Sequence, residues 1–68
     1  MDISARNQLK GRITAIKLGT VMAEVVVQVG QHEVVSAITR SSVERLGLKA
    51  GDEVVAIIKA TEVMLAKP

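Results

Sequence analysis

Between residues 8 and 18, Leu9, Gly11, Ile13 and Ala15 fall on one side of an extended chain and Lys10, Arg12 and Thr14 on the other. This two-residue period belongs to a half-buried strand, and Ile16 and Leu18 blur it toward the end. Gly19-Thr20 then marks a turn. Over residues 21–29, Val21, Ala23, Val25, Val27 and Val29 share one face against Met22, Glu24, Val26 and Gln28, and so many β-branched side chains favour strand over helix. Gly30-Gln31-His32-Glu33 is a polar break of hairpin length, after which residues 34–39 resume an extended apolar pattern able to pair back on the preceding strand.

The period changes after Thr39. Ser41 or Ser42 can cap a short helix, Glu44 stands three residues beyond Ser41 as a capping box requires, Val43 and Leu46 share a face, and Gly47 suits the helix end. Residues 48–53 read as a turn into a strand over 54–60, with a short final strand over 62–66. The expected fold is all-β with one short helix, in the order strand, strand, strand, helix, strand, strand. That is the connectivity of the five-stranded Greek-key barrel called the OB-fold. With no linker, low-complexity tract or internal repeat, residues 1–68 are expected to form one domain.

Composition adds association to this picture. A chain of 68 residues buries only a modest fraction of its apolar surface alone, and without cysteine and with only His32 it has neither a disulfide nor a zinc cluster to staple it. Yet 49% of its residues are apolar and none is aromatic, more aliphatic surface than one small core hides. A homo-oligomer is expected, with second strand faces covered by neighbouring subunits. No apolar run reaches the roughly 18 residues of a membrane span, and Asp2, Arg6 and Asn7 interrupt any signal-peptide core, so a cytoplasmic location without membrane association is expected.

The residue inventory argues against catalysis. One histidine in the expected hairpin loop, no cysteine and scattered carboxylates provide no activated nucleophile, acid–base pair or metal cluster, so the protein is expected not to be an enzyme. OB-folds that hold single-stranded nucleic acid stack bases on aromatic side chains at about 1–3 kcal/mol each. Here that platform is missing and the net charge is only +2. Nucleic-acid binding and a purely structural interaction module remain as the alternatives to ligand binding.

Polar donors concentrate in three places. Ser4-Ala5-Arg6-Asn7-Gln8 sets a hydroxyl, a guanidinium and two amides before the first strand; Lys59-Ala60-Thr61-Glu62 closes the fourth; Thr39 closes the third. Taken alone, Arg6 and Lys59 also read as ordinary surface charges, and Ser4, Thr39 and Thr61 as strand-end hydroxyls satisfying local backbone.

Nearly the whole chain, however, resembles one family. Ser4-Ala5-Arg6-Asn7-Gln8-Leu9-Lys10-Gly11, Gly19-Thr20-Val21-Met22-Ala23, Ala37-Ile38-Thr39, Ser42-Val43, Leu48-Lys49-Ala50-Gly51-Asp52 and Ile58-Lys59-Ala60-Thr61-Glu62-Val63 are similar to segments of the molbindins, or Mop, the molybdenum-pterin-binding proteins. The leading eight residues are the most specific part. A chain of this length resembles the storage members more than the regulators, which carry a further DNA-binding domain.

The resemblance implies an OB-fold assembled as a hexamer, a trimer of dimers, that holds molybdate, and tungstate as well, for storage and homeostasis inside the cell. It places one class of site between two subunits, using Ser4, the Ala5 backbone, Arg6, Thr39, Lys59 and the backbone around Ala60. It places a second class near the three-fold axis, for which Gly19, Thr20 and Val21 are the candidate turn. No direct protein–metal coordination and no nucleotide or organic cofactor are implied. The residue types suit the ligand. Molybdate at neutral pH is a fully deprotonated dianion, so a matching shell holds donors only, and Ser4, Arg6, Thr39 and Lys59 are all donors. Sulfate is expected to lose on size, and hydrogen phosphate because its proton meets no acceptor.

Overall fold

The computed structural model describes residues 2–68. Its elements follow in the order β1 (Asn7–Leu18), β2 (Met22–Val29), β3 (His32–Thr39), α1 (Arg40–Leu46) and β4 (Glu53–Ile58), and a single 3-10 turn, Ala60–Glu62, ends the regular structure. The four strands make one antiparallel sheet in the order β3-β2-β1-β4. The fold is therefore mostly β with one short helix, as the pattern predicts, with four strands among the described residues where five were expected.

The β2 alternation carries the core. Ala23, Val25 and Val27 are buried with Ile13 of β1 and Val43 of α1, and Ile16, Val29, Ile38, Leu48 and Val54 pack around them. Burial of every second residue on a strand paired on both sides is what the unbroken valine series dictates. The irregular end of β1 has a cause. Ile13 faces Val27 but Ala15 faces Val26, so one extra residue, Thr14, is bulged out and the parity of the strand flips. Ile16, not Ala15, then joins the core, and Ala15 turns outward.

Several boundaries differ from expectation. Val29 pairs with His32, so the hairpin loop is only Gly30-Gln31 and both His32 and Glu33 belong to β3. Gly30 has φ 60°, the conformation required at the first position of a tight two-residue turn. Helix α1 begins at Arg40 and is capped by Thr39, whose hydroxyl accepts the Ser42 N–H at 3.1 Å; neither Ser41 nor Ser42 is the cap. No capping box forms, because with Thr39 as the cap the third helical position is Ser42 and not Glu44, which pairs with Arg40 at 3.7 Å. At the other end, Gly47 adopts φ 64° and ψ 36°, and Gly47 and Leu48 return their N–H groups to Glu44 and Val43, as expected of a glycine stop. The fourth strand ends at Ile58, so Lys59 and Ala60 lie beyond it.

The expected strand over 62–66 does not form in the single chain. A strand needs an edge to pair with, and after the 3-10 turn the chain leaves the sheet, with Met64 and Leu65 exposed at 92% and 94%. The facing edges of β3 and β4 stay open across an apolar groove of about 450 Å³, lined by Val34, Ser36 and Ile38 on one side and Val54, Ala56 and Ile58 on the other. Among the described residues no helix is long and apolar enough to cross a membrane.

Candidate oxyanion site

β1 and β4 bring the first two donor groups together. Asn7 pairs with Ile58 at the last rung of their ladder, so Arg6 and Lys59 each lie one residue beyond the same end of it. Both side chains are exposed, and among the described residues neither has a carboxylate within 4 Å: the ion pairs present are Arg12–Glu53, Arg40–Glu44 and Lys49–Asp52. Two uncommitted cations at one end of a sheet favour an anion there. Ser4 is exposed in the same stretch, while Ala5 is buried at 8% and anchors it.

That anchoring is local and polar as well. The Gln8 side-chain amide donates to the Ala5 carbonyl at 2.9 Å, and the Asn7 amide donates to the Ile58 carbonyl at 3.1 Å. On the far side, the 3-10 turn holds Lys59 and Ala60, whose carbonyls accept the N–H groups of Glu62 at 2.9 Å and Val63 at 3.3 Å. Ser4, Ala5, Arg6, Lys59 and Ala60 thus share one corner of the sheet.

Thr39 lies elsewhere. It pairs with Met22 at the end of the sheet where β1 finishes, whereas Arg6 precedes its start. The 12 residues of β1 separate the two along the sheet. Within one chain, Thr39 and the Arg6–Lys59 corner do not make one pocket. The Thr39 hydroxyl is also occupied: besides accepting the Ser42 N–H, it lies 2.8 Å from the Ser42 hydroxyl and 3.2 Å from that of Ser41. A hydroxyl both accepts and donates, so the cap can persist while its proton turns to another acceptor.

The Gly19, Thr20 and Val21 turn adjoins Thr39. Gly19 N–H closes it onto the Met22 carbonyl at 2.8 Å, so tightly that a Cβ on Gly19 would meet that oxygen at 2.7 Å. Arg40 straps the turn from the helix, donating its N–H to the Val21 carbonyl at 2.7 Å and its guanidinium to the Gly19 carbonyl at 3.4 Å. Arg40 carries no sequence signal beyond following Thr39, because its tie to a turn 21 positions away is a tertiary fact. Among the described residues no group of His, Cys, Asp and Glu is arranged to hold a metal ion.

A small open antiparallel sheet with exposed cations and hydroxyls at one end offers hydrogen-bond donors suited to an anion. Comparison with known proteins agrees. The model of the TOBE domain matches residues 3–65. Molybdenum-pterin-binding protein 3 of Clostridium pasteurianum is 53% identical over 66 residues, covering 96% of this chain and 97% of that protein. A molybdate-binding protein from Sporomusa ovata, of solved structure, superposes with a TM-score of 0.95 at 46% identity, covering 98% of this chain and 100% of the other. The cytoplasmic molybdate-binding protein ModG, solved with molybdate bound, superposes with a TM-score of 0.94 at 40% identity; this chain is covered completely and spans 49% of ModG. The chain belongs to the TOBE domain family, among its molybdenum-pterin-binding proteins.

Proposed function

We propose that this protein binds molybdate without transforming it, in sites that only an assembly of its copies completes. The observation that supports the reading is that exposed Arg6 and Lys59 each lie one residue beyond the last β1–β4 rung, Asn7–Ile58, with exposed Ser4 two residues before Arg6 and neither cation in an ion pair among the described residues. Removing a dianion from water costs many kcal/mol unless cations and hydrogen-bond donors replace its hydration, and this corner offers both. Thr39 joins the set from a second copy, since its own chain holds it at the opposite end of β1. Tungstate, a dianion of very similar size and shape, binds the same donors. The Gly19, Thr20 and Val21 turn, braced by Arg40, is the proposed second site.

Assembly follows from the open groove. Residues 63–66 of another copy, laid between the edges of β3 and β4, supply the fifth strand and close the barrel. Met64 and Leu65 are almost wholly exposed in the single chain, and burying each is worth about 1.5–3 kcal/mol. Repeated pairwise, this contact builds the hexamer. Ligand that bridges subunits stabilises the assembly by linkage, which suits a cytoplasmic store whose release follows free oxyanion concentration.

Native mass spectrometry with and without molybdate tests assembly and ligand count together. The expected result is a multiple of the 7.2 kDa chain that gains oxyanion mass and resists heating better with molybdate than with equimolar phosphate. A monomer indifferent to molybdate sinks the proposal. A steep, salt-dependent shift with oligonucleotides in its place establishes the nucleic-acid reading.

A further inference from the structure

The two amides of the leading motif, Asn7 and Gln8, are not themselves needed as ligands, yet each makes a hydrogen bond at a strategic point. Residues 4–6 precede β1 without regular structure, and such terminal segments fray unless something ties them down. Gln8 ties the segment back, its Nε2 donating to the Ala5 carbonyl at 2.9 Å, with Ala5 buried at 8%. Asn7 ties it across, its Nδ2 donating at 3.1 Å to the carbonyl of Ile58, the residue directly before Lys59. One amide therefore sets the direction in which Ser4 and Arg6 leave the strand, and the other locks the β4 end from which Lys59 projects.

We propose that Asn7 and Gln8 are the positioning residues of the oxyanion site, holding the Ser4–Arg6 segment and Lys59 at one corner so that their donors converge before the ligand arrives. The inference rests on the molybdate reading above. Its physical content is preorganisation: a segment already fixed in its bound direction loses less conformational entropy when it closes on an anion. Both amides point their N–H groups at backbone carbonyls, so a change of amide to hydrocarbon removes aim and leaves every proposed ligand in place.

The test compares Gln8→Met, which keeps the length and loses the donor, and Asn7→Ala with the unaltered assembly. Three measurements are made: molybdate affinity by calorimetry, the melting midpoint without ligand, and hydrogen exchange of the amides of residues 4–6. Each substitution is expected to weaken molybdate binding about five-fold, the worth of one hydrogen bond. The ligand-free midpoint should fall by less than the affinity loss implies, because residues 4–6 can fray without melting the sheet, and the assembly mass should stay unchanged. Exchange at residues 4–6 should rise without molybdate and return toward the unaltered level with it. A midpoint that falls in step with affinity shows a merely structural role and overturns the proposal, as does unchanged affinity in Gln8→Met. If Asn7→Ala fails to assemble, Gln8→Met decides alone, since its side chain lies on the exposed surface. Unaltered protein that ignores molybdate sinks the functional reading itself, whereas tight binding in all three proteins sinks only the positioning role.

Discussion

The two ends of β1 are built on opposite principles. At its start, Arg6 and Lys59 stand exposed with no carboxylate in reach, and the polar bonds present, those of Asn7 and Gln8, go to backbone carbonyls. At its finish, nearly every donor already has a local partner: Thr39 caps α1, Arg40 straps the Gly19 turn and pairs with Glu44, and Gly19 closes onto Met22. The first end stores unspent charge, while the second stores order. A dianion needs both, because cations supply attraction but only a fixed hydroxyl selects a shape. They lie at opposite ends of one strand, and in the proposed site they meet when one copy's start is set against another copy's finish.

The strongest way to break this contrast is to remove the charge. Arg6→Ala combined with Lys59→Ala is expected to lower molybdate affinity by more than about 100-fold, because a buried anion left without its cations loses several kcal/mol. The ligand-free melting midpoint should hardly move, since both side chains are exposed. Calorimetry and a thermal scan check the pair, and retained affinity would refute the assignment of the corner.

Removing order at the other end should cost less in binding and more in folding. Thr39→Ala deletes the cap of α1 and is expected to lower stability by about 1 kcal/mol. It should also weaken molybdate binding roughly ten-fold through the lost donor. Thr39→Ser keeps an oxygen that can both cap and donate, so it should restore most of both properties in denaturant titration and calorimetry. Loss of stability with full affinity would leave Thr39 a cap and nothing more.

The smallest effect calibrates the rest. Arg12 pairs with Glu53 at 3.6 Å between side chains exposed at 64% and 83%, a contact worth at most about 0.5 kcal/mol in such solvent. Arg12→Ala should therefore change neither the melting midpoint nor molybdate affinity measurably. A large loss in this variant would mean that net charge, and not the Arg6–Lys59 corner, draws the anion.

Much of this was legible along the chain, and the parts that were not share a cause. The valine alternation of β2 determined a strand with Ala23, Val25 and Val27 inward, because side-chain period is a local property of extended backbone. Gly47 announced the helix stop for the same kind of reason, since only the left-handed conformation ends the helix there. The donors at residues 4–8 and around Lys59 were visible by residue type, but taken alone they also read as ordinary surface groups, and it was the family resemblance that singled them out. Tertiary structure decided the remainder. The Thr14 bulge reversed the parity of β1 because pairing with β2, not β1's own pattern, sets the register. Thr39 won the cap from Ser41 and Ser42 because β3 runs on to residue 39 and delivers its hydroxyl to the Ser42 N–H. Residues 62–66 read as a strand but, after the 3-10 turn at Ala60–Glu62, pair with neither open edge of the sheet, β3 or β4, and backbone pairing, unlike side-chain alternation, always requires a second strand.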